Sequence, residues 1–377
     1  MRIGIIGTRG IPNEYGGFEQ FAEDFAVRMA ARGHDMAVYT PHNHSYQKDS
    51  FKGVQLIHCY DPEYRIGTAG QFIYDFNCIK DSRSRAFDII LQLGYTSSTI
   101  WSWLFPKQAL LVTNMDGLEW RRSKYNKPVQ GFLRHAEKWA VRYSDYLVAD
   151  SLGIQNYVQS KYGAPSVLVA YGADVYQESD THQIMLDYGI MEGGYDLLIA
   201  RFESENNIEM VLNAYASMPE RTLVLVGRYE ATDFGRRMQR KFSALKNIIF
   251  LGGIFEKDKL NAVRCHSAIY YHGHSVGGTN PSLLEAMACR ALICAHDNEF
   301  NRSVLQGNAF YFSSPEEIQN CARNYAGKGA RKEWMDNNLS AIKREYSWDG
   351  ITDRLENHFT KWLNLKHAPA QAGVLLS

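Results

Sequence analysis

The sequence predicts an α/β protein built from two doubly wound domains. Three observations carry that expectation. The chain has 377 residues, more than one ordinary core holds and suited to two domains of roughly 150 to 200 residues each. Short apolar runs recur from the first residues with helical stretches between most of them, and such alternation implies parallel strands joined by crossover helices. The series pauses over residues 176–194 and starts afresh at Tyr195.

Arg2 to Gly7 reads as the first strand. Thr8 to Gly17 (TRGIPNEYGG) is a loop of turn formers, and Phe18 to Arg32 a helix whose apolar positions Phe21, Phe25, Met29 and Ala30 follow the 3.6 period. Gly33 ends that helix and Met36 to Thr40 is the second strand. The unit is the first half of a doubly wound sheet without the dinucleotide fingerprint. It has no G-x-G-x-x-G and no acid closing the second strand. Strand-type runs follow at Val54 to His58, Ile89 to Leu93, Leu110 to Thr113, Tyr146 to Ala149 and Val167 to Ala170. Ligands bind beyond the C-terminal strand ends of such sheets. Polar loops stand there at Gly94 to Ser98, at Asn114 to Arg122 (with Asp116, Glu119, Arg121 and Arg122 at the crevice mouth) and at Asp150-Ser151.

From Trp120 to Arg142 there are seven cations and one acid, Glu137. Val129, Phe132, Leu133, Ala136, Ala140 and Tyr143 trace one helical face after Pro128. Two readings stand: a core stripe with a solvated basic back, or a surface for anionic lipid or the diphosphate of a lipid-linked acceptor.

Gln177 to Gly194 contains no strand and two close glycines, which fits a linker. The second series runs through Tyr195 to Ala200, Thr222 to Val226, Ile248 to Leu251, Ala268 to Tyr271 and Leu292 to Ala295. Its most informative stretch is YYHGHSVGGTNPSLLEAMACRALIC, Tyr270 to Cys294. A strand feeds a loop holding Gly273, Gly277 and Gly278. Pro281 then sits at the first turn of a helix carried by Leu283, Leu284, Ala286, Met287 and Ala288. The junction points free N–H groups and a positive helix end into a crevice that suits an anion; a turn for chain reversal only would read the same. Glu285, a turn into the helix, suits a hydroxyl acceptor. SWDGITDRLENHFTKWLNL closes the chain as an amphipathic helix with Trp348, Ile351, Leu355 and Phe359 as its packing face.

GTNPSLLEAMAC resembles the donor-site signature, E-x7-E-A-M-A, of the retaining nucleotide-sugar glycosyltransferases with the GT-B fold. That resemblance implies two Rossmann-like domains facing each other across a cleft, with a C-terminal helix crossing back to the first. The implied divisions are residues 1–175 (acceptor-binding), 176–194 (linker), 195–345 (nucleotide-sugar-binding) and 346–377 (crossover helix and tail). It places Glu285 on the ribose, while Gly277 stands where the first acid falls. The opening, GG before the first helix and RGHDMAVYT after it, resembles the same family, and there Gly16 and Gly17 approach the donor diphosphate. YGADV (Tyr171 to Val175) resembles its N-G-V-D turn out of the first domain. ARFESENN resembles G-R-L-x-x-E-K-N, whose Arg and Lys grip the phosphates; Arg201 matches the Arg and Asn206 holds the Lys position. Arg228 is the candidate substitute cation. LGGIFEKDKL resembles the turn whose backbone reads the base, which makes Gly253 and Ile254 base-pocket residues. The residue near the transferred sugar is Asp116, or Met115 one position earlier. Gly277, Gly278 and Thr279 complete the implied catalytic set, with Asn280 on the donor. HSVGGTNPSLLEAMA as a whole resembles bacterial rhamnosyltransferases of polysaccharide assembly, which implies a dTDP-rhamnose donor; UDP- and GDP-sugars stay open. The acceptor implied is a saccharide or lipid-linked saccharide.

No D-x-D occurs and the family works without a bound metal, so neither metal nor cofactor is expected. Basic and acidic residues balance at 41 each, which gives no electrostatic case for nucleic acid. No apolar run approaches a membrane span, and MRIGIIGTRG begins as a strand without a signal-peptide core. The six cysteines form no C-x2-C pair and read as reduced, mostly buried thiols of a cytoplasmic protein. Two other functions share this architecture, a sugar-nucleotide epimerase and a phosphorylase, though no motif suggests a pyridoxal-phosphate lysine. A sugar-nucleotide-binding partner that has lost catalysis, with Gly277 and Asn206 as its marks, is the alternative from another class.

Overall fold

The structure of the protein, a computed structural model, describes residues 1–115, 117–121, 125–177, 182–275 and 278–368. The first sheet contains β1 (Arg2–Ile6), β2 (Asp35–Pro41), β3 (Ser50–Phe51), β4 (Val54–Cys59), β5 (Ile89–Gln92), β6 (Leu110–Asn114), β7 (Tyr146–Ala149) and β8 (Val167–Leu168). Their order is β3-β4-β2-β1-β5-β6-β7-β8. β3 is the antiparallel exception, turned onto β4 by Lys52 and Gly53, both at positive φ. The second sheet contains β9 (Asp196–Ile199), β10 (Leu223–Val226), β11 (Ile248–Gly252), β12 (Tyr270–His272), β13 (Ile293–His296) and β14 (Phe310–Phe312). It is parallel and ordered β11-β10-β9-β12-β13-β14.

The strand orders place the crevices. In the first sheet the order reverses between β1 and β5, in the second between β9 and β12, and loops leaving neighbouring strands diverge at such points. The loops that diverge from β9 and β12 begin at Ala200, just before Arg201, and at Gly273. At the first switch point the strand ends touch. Gly7 has φ +77, and a Cβ on it would stand 2.4 Å from the Gly94 carbonyl oxygen, so only glycine fits.

Both faces of the parallel sheets are covered, so β1, β5, β9 and β12 are buried almost throughout. One buried apolar cluster continues from Ile3 and Phe25 through Tyr171 and Trp348 to Leu284 and Met287, joining the domains. The terminal helix, Trp348–His367, crosses back to the first domain as expected. Phe21 meets Trp348 at 5.7 Å between ring centroids, Phe25 meets Phe359 at 6.0 Å, and Trp362 stacks on Tyr146 at 4.2 Å. Arg32 pairs with Asp353 and Glu356 on the same helix. Each fully buried aromatic or aliphatic side chain of this seam contributes about 1.5–3 kcal/mol.

The structure adds β3 and β14, which the sequence reading lacks, and shortens the expected Val167 to Ala170 strand to two residues. A helix, His182–Asp187, lies in the stretch read as linker. Among the described residues all six cysteines are free, and no helix is long and apolar enough to cross a membrane.

Candidate active site

The floor of the second-domain crevice is two loops laced together. Asn207 adopts the left-handed conformation (φ 50) and its Nδ2 donates to the Gly273 carbonyl at 2.8 Å. The Ser275 hydroxyl donates to the Glu205 carbonyl at 2.7 Å. A Cβ at Gly273 would stand 2.1 Å from the Asn206 carbonyl oxygen, so the loops close only over glycine. Asn206 is buried and its Nδ2 donates to the Arg201 carbonyl at 2.7 Å. It therefore holds Arg201's backbone and brings no charge in place of a lysine. The Arg201 side chain is exposed and has no hydrogen bond or ion pair among the described residues.

The next strand ends add a shelf. Gly227 donates to the Gly252 carbonyl at 2.8 Å, and a Cβ on it would stand 2.2 Å from the Ala200 carbonyl oxygen. This packing sets Arg228 beside Gly253, whose virtual Cβ lies 3.1 Å from Arg228 Cγ. The exposed ring of Phe255 lies 5.7 Å from the Arg228 guanidinium, and Ile254 is buried beneath. Gly253, Ile254 and Arg228 thus share one corner, with an aromatic face that sequence reasoning missed.

The helix Pro281–Ala288 opens as expected, with Pro281 at its first turn. The Asn280 side-chain oxygen caps it by accepting from the Ser282 N–H at 2.9 Å. Glu285 is not a bare carboxylate. Arg264 donates to one oxygen at 2.7 Å and Gln20, from the first domain, donates to the other at 2.8 Å. Arg264 is 1% exposed, and it also donates to Asn261 Oδ1. Burial alone would lower the Arg264 pKa; Glu285 overrides this and holds it above its ordinary value. Burial also pushes the neighbouring Cys289 thiol up to about 12. Each Glu285 oxygen keeps a second lone pair for a hydroxyl donor.

Gly16 is extended (φ −170) and Gly17 begins the first-domain helix Gly17–Ala31. A Cβ on Gly17 would lie 3.4 Å from Pro281 Cγ and 3.5 Å from the Tyr171 hydroxyl. The starts of the two helices therefore meet at the domain seam, one from each domain; Asn280 takes the N–H groups of Ser282, Leu283 and Leu284, so orphan N–H groups remain only at the Gly17 end. Beside them Thr279 is buried and its hydroxyl donates to the Asp150 carbonyl at 2.7 Å. Gly278 lies under the Asp150 carboxylate. Asp116 and Gly277 lie outside the described residues. A cavity of about 430 Å³ adjoins this seam, lined by Asp174, Tyr176, Lys257 and Asn261 among others. Neither Arg201 nor Gly278 lines it.

The structure thus brings together Gly17, Gly278, Thr279, Asn280 and Glu285, and gathers Arg228, Gly253 and Ile254 at the next strand ends. Gln20 and Arg264 were missed. Arg264 carried no signal in the sequence, being one more polar residue in the helix Lys257–Cys265.

The basic segment resolves into a 3-10 turn, Glu119–Arg121, and a helix, Lys127–Tyr143. Its lone acid is a buried hub. Glu137 accepts from Trp120 Nε1 (3.2 Å), the Tyr157 hydroxyl (2.8 Å), the Tyr162 hydroxyl and Lys161 Nζ (2.8 Å). Leu133, Ala136 and Ala140 are buried with it, while Lys127, Arg134, Lys138, Arg142 and Tyr143 are exposed.

Residues 192–324 match the family Glycosyl transferases group 1, and residues 1–174 match a domain of unknown function, DUF1972. The fold is GT-B. A sucrose-phosphate synthase from Thermosynechococcus elongatus superposes with a TM-score of 0.78 at 14% identity, over 97% of this chain and 99% of that one. A glycosyltransferase from Rickettsia africae ESF-5 does so with 0.72 at 13% identity, over 97% and 98%. Anabaena Alr3699/HepE in complex with UDP-glucose gives 0.72 at 14% identity, over 95% and 99%. No curated protein matches the chain by sequence. The second domain thus matches the Glycosyl transferases group 1 family, and the whole chain has the GT-B fold.

Proposed function

We propose that the protein transfers a glycosyl unit from a nucleoside diphosphate sugar to a saccharide or lipid-linked saccharide, with retention of configuration and without metal or cofactor. The observation that carries this reading is the meeting of two helix starts at the domain seam, Gly17 against Pro281, with the exposed Arg201 guanidinium on the second-domain side. The Arg201 guanidinium and the backbone N–H groups at the start of the Gly17 helix suit a diphosphate leaving group, whose charge they stabilise electrostatically as it departs. The donor's own phosphate is the acceptor's base in this scheme, so no protein nucleophile is assigned. Arg228, Gly253 and Phe255 form the base corner and Glu285 takes the ribose hydroxyls. That HepE was solved with UDP and UDP-glucose supports the donor class. The resemblance of HSVGGTNPSLLEAMA to rhamnosyltransferases favours dTDP-rhamnose, and a role in polysaccharide assembly follows from it.

The exposed cations of the Lys127–Tyr143 helix, with exposed Trp103 on the neighbouring 3-10 helix Ser98–Leu104, favour peripheral contact with the anionic cytoplasmic face of a membrane. Flotation with anionic but not neutral vesicles is expected; equal absence from both discards this part. A second reading, a binding partner without turnover, is favoured by Asn206, which leaves Arg201 without a second fixed cation on its own loop.

The experiment is a panel of UDP-, dTDP- and GDP-sugars, scored by thermal shift and by release of the nucleoside diphosphate. A matched nucleotide at 100 times its Kd stabilises by about 2.7 kcal/mol. Selective stabilisation with turnover is expected, strongest for dTDP-rhamnose. Binding without turnover over several acceptors selects the second reading, and no stabilisation by any nucleotide refutes both.

A further inference from the structure

We infer that the C-terminal edge of β4, β2 and β1 carries a saccharide-stacking platform, built from Tyr60, Tyr64 and Tyr15 around an Arg9–Glu63 pair, and that it holds the acceptor. The rings themselves carry the ligand class; only its assignment to the acceptor rests on the proposed transfer to a saccharide. The three strands are neighbours in the first sheet, and each sends residues to the same edge. Tyr60 directly follows β4, and the short helix Glu63–Ile66 comes just after it. His42 directly follows β2, and its ring lies 5.0 Å from the Tyr60 ring and 6.0 Å from the Tyr64 ring, between centroids. Arg9 and Tyr15 lie on the loop that leaves β1. The Arg9 guanidinium ties the row together. It donates from Nε and Nη2 to the two Glu63 oxygens, at 3.1 and 2.8 Å, and it stands 3.9 Å from the centroid of the Tyr15 ring.

The rings are open to solvent: Tyr15 is 44% exposed, Tyr60 46% and Tyr64 55%. Arg9 covers one face of Tyr15, so its exposure belongs to the other face and the edge. Arg65 stands 5.1 Å from the Tyr64 centroid and backs that ring in the same way. A row of backed, half-open tyrosines marks a binding surface, because each ring is an apolar body with a polar tip. A pyranose matches that surface. Its axial C–H groups form a flat apolar face that stacks on a ring, and its hydroxyls project around the rim. Glu63 supplies the rim acceptor. Its side chain is 25% exposed, Oε1 accepts from Arg9 and from Gln71 Nε2, and Oε2 accepts from Arg9 and keeps a lone pair. Lipid tails and apolar protein patches are met by aliphatic side chains; here Ile66 is the exposed aliphatic beside three tyrosines and a paired guanidinium. The row also leads to the right place. Tyr15 stands just before Gly16 and Gly17, and Gly17 meets Pro281 at the domain seam. A saccharide lying along the row therefore points one end at the seam.

The test is a saturation-transfer NMR titration with trisaccharides of rhamnose, glucose, galactose and mannose, on wild type, Tyr64→Ala, Tyr64→Trp and the double variant Tyr60→Ala with Tyr64→Ala. Wild type is expected to bind at least one of the four, with saturation strongest on the C–H protons of the stacked face. Tyr64→Ala should bind it about three- to tenfold more weakly, the range of one aromatic contact, and the double variant at least about tenfold more weakly. Tyr64→Trp keeps a ring and should keep the affinity. All variants should bind UDP or dTDP as wild type does, and where transfer is measured the acceptor KM should rise without the donor KM. Both side chains are half-open, so the melting temperature should hold; if the double variant fails to fold, Tyr64→Ala against Tyr64→Trp decides. Wild-type saccharide affinity in the double variant overturns the inference and leaves the rings to a protein partner. Wild type that binds none of the four trisaccharides overturns it too. Saccharide binding lost in the variants, in a protein that binds no nucleotide, refutes the proposed function and leaves the platform standing.

Discussion

Truncating Glu285 removes two things at once, a candidate ribose ligand and the partner of a buried cation. Arg264 is 1% exposed, and among the described residues its anionic partner is Glu285, at 2.7 Å and with a side chain 16% exposed. Its Nε already lacks a partner among the described residues. Removing one member of such a pair leaves an uncompensated buried charge, which typically destabilises by about 3–5 kcal/mol. Glu285→Ala also loses the 2.8 Å bond from Gln20 that ties the domains. In a domain of roughly 150 residues the loss is a fall in melting temperature on the order of 10 °C. Urea unfolding followed by circular dichroism measures it. Nucleotide titration of Glu285→Ala alone cannot separate a lost ribose contact from a disturbed site. The double variant Arg264→Met with Glu285→Leu can, because an apolar pair avoids the stranded charge. It should recover most of the stability and still bind the nucleoside diphosphate at least about tenfold more weakly than wild type. A Glu285→Ala protein within about 1 kcal/mol of wild type refutes the ion-pair argument. Wild-type affinity in the double variant refutes the ribose role.

Three further outcomes follow from the same structure. Arg201→Ala should weaken nucleoside diphosphate binding by about 1.5–3 kcal/mol, the range for a hydrogen bond to a charged group. Its melting temperature should not change, because the side chain is exposed and holds nothing else among the described residues; a large thermal shift would contradict this. Asp75 is buried, and burial pushes its carboxyl up to about 7, against the pull of the hydrogen bond from the Ser97 hydroxyl. Its unfolded pKa is about 3.9, so the unfolded chain releases the proton first, and stability falls as pH rises from about 4 to about 7, by at most about 4 kcal/mol. Asp75→Asn should lack that slope and gain on wild type toward pH 8; parallel stability–pH curves would refute it. Glu137→Ala strands four donors in the first domain, and urea unfolding should show a loss of about 3 kcal/mol. No change would show that the hub is solvated.

Much of the fold was legible because parallel strands buried on both faces read as short apolar runs, and glycine marks their C-terminal ends. Helix Gly17–Ala31 and helix Pro281–Ala288 follow from period, proline and glycine alone. β14 was not legible: Phe310–Phe312 is a three-residue edge strand with only its middle-sheet side paired, too short for a pattern. β3 is two residues of a hairpin whose turn, Lys52-Gly53, lacks the usual asparagine or aspartate. In the candidate site, positions marked by their own loop, such as Arg201 and Gly17, were legible as candidates. Residues that act across the fold were not. Gln20 meets Glu285 over 265 positions and Arg264 meets it from another helix; nothing local marks either contact. Asp150 showed only as a polar strand end, since its neighbour Gly278 is 128 positions away in sequence and belongs to the other domain. Asn206 occupies a position where a ligand contact was expected and instead turns its amide onto the backbone.

The most direct measurement is a crystal structure of the protein soaked with dTDP-rhamnose or UDP-glucose. The expected result is diphosphate density between the Gly17 and Pro281 helix ends within hydrogen-bonding distance of Arg201, with the ribose on Glu285. Nucleotide density outside that gap, with Arg201 and Glu285 untouched, would contradict the account.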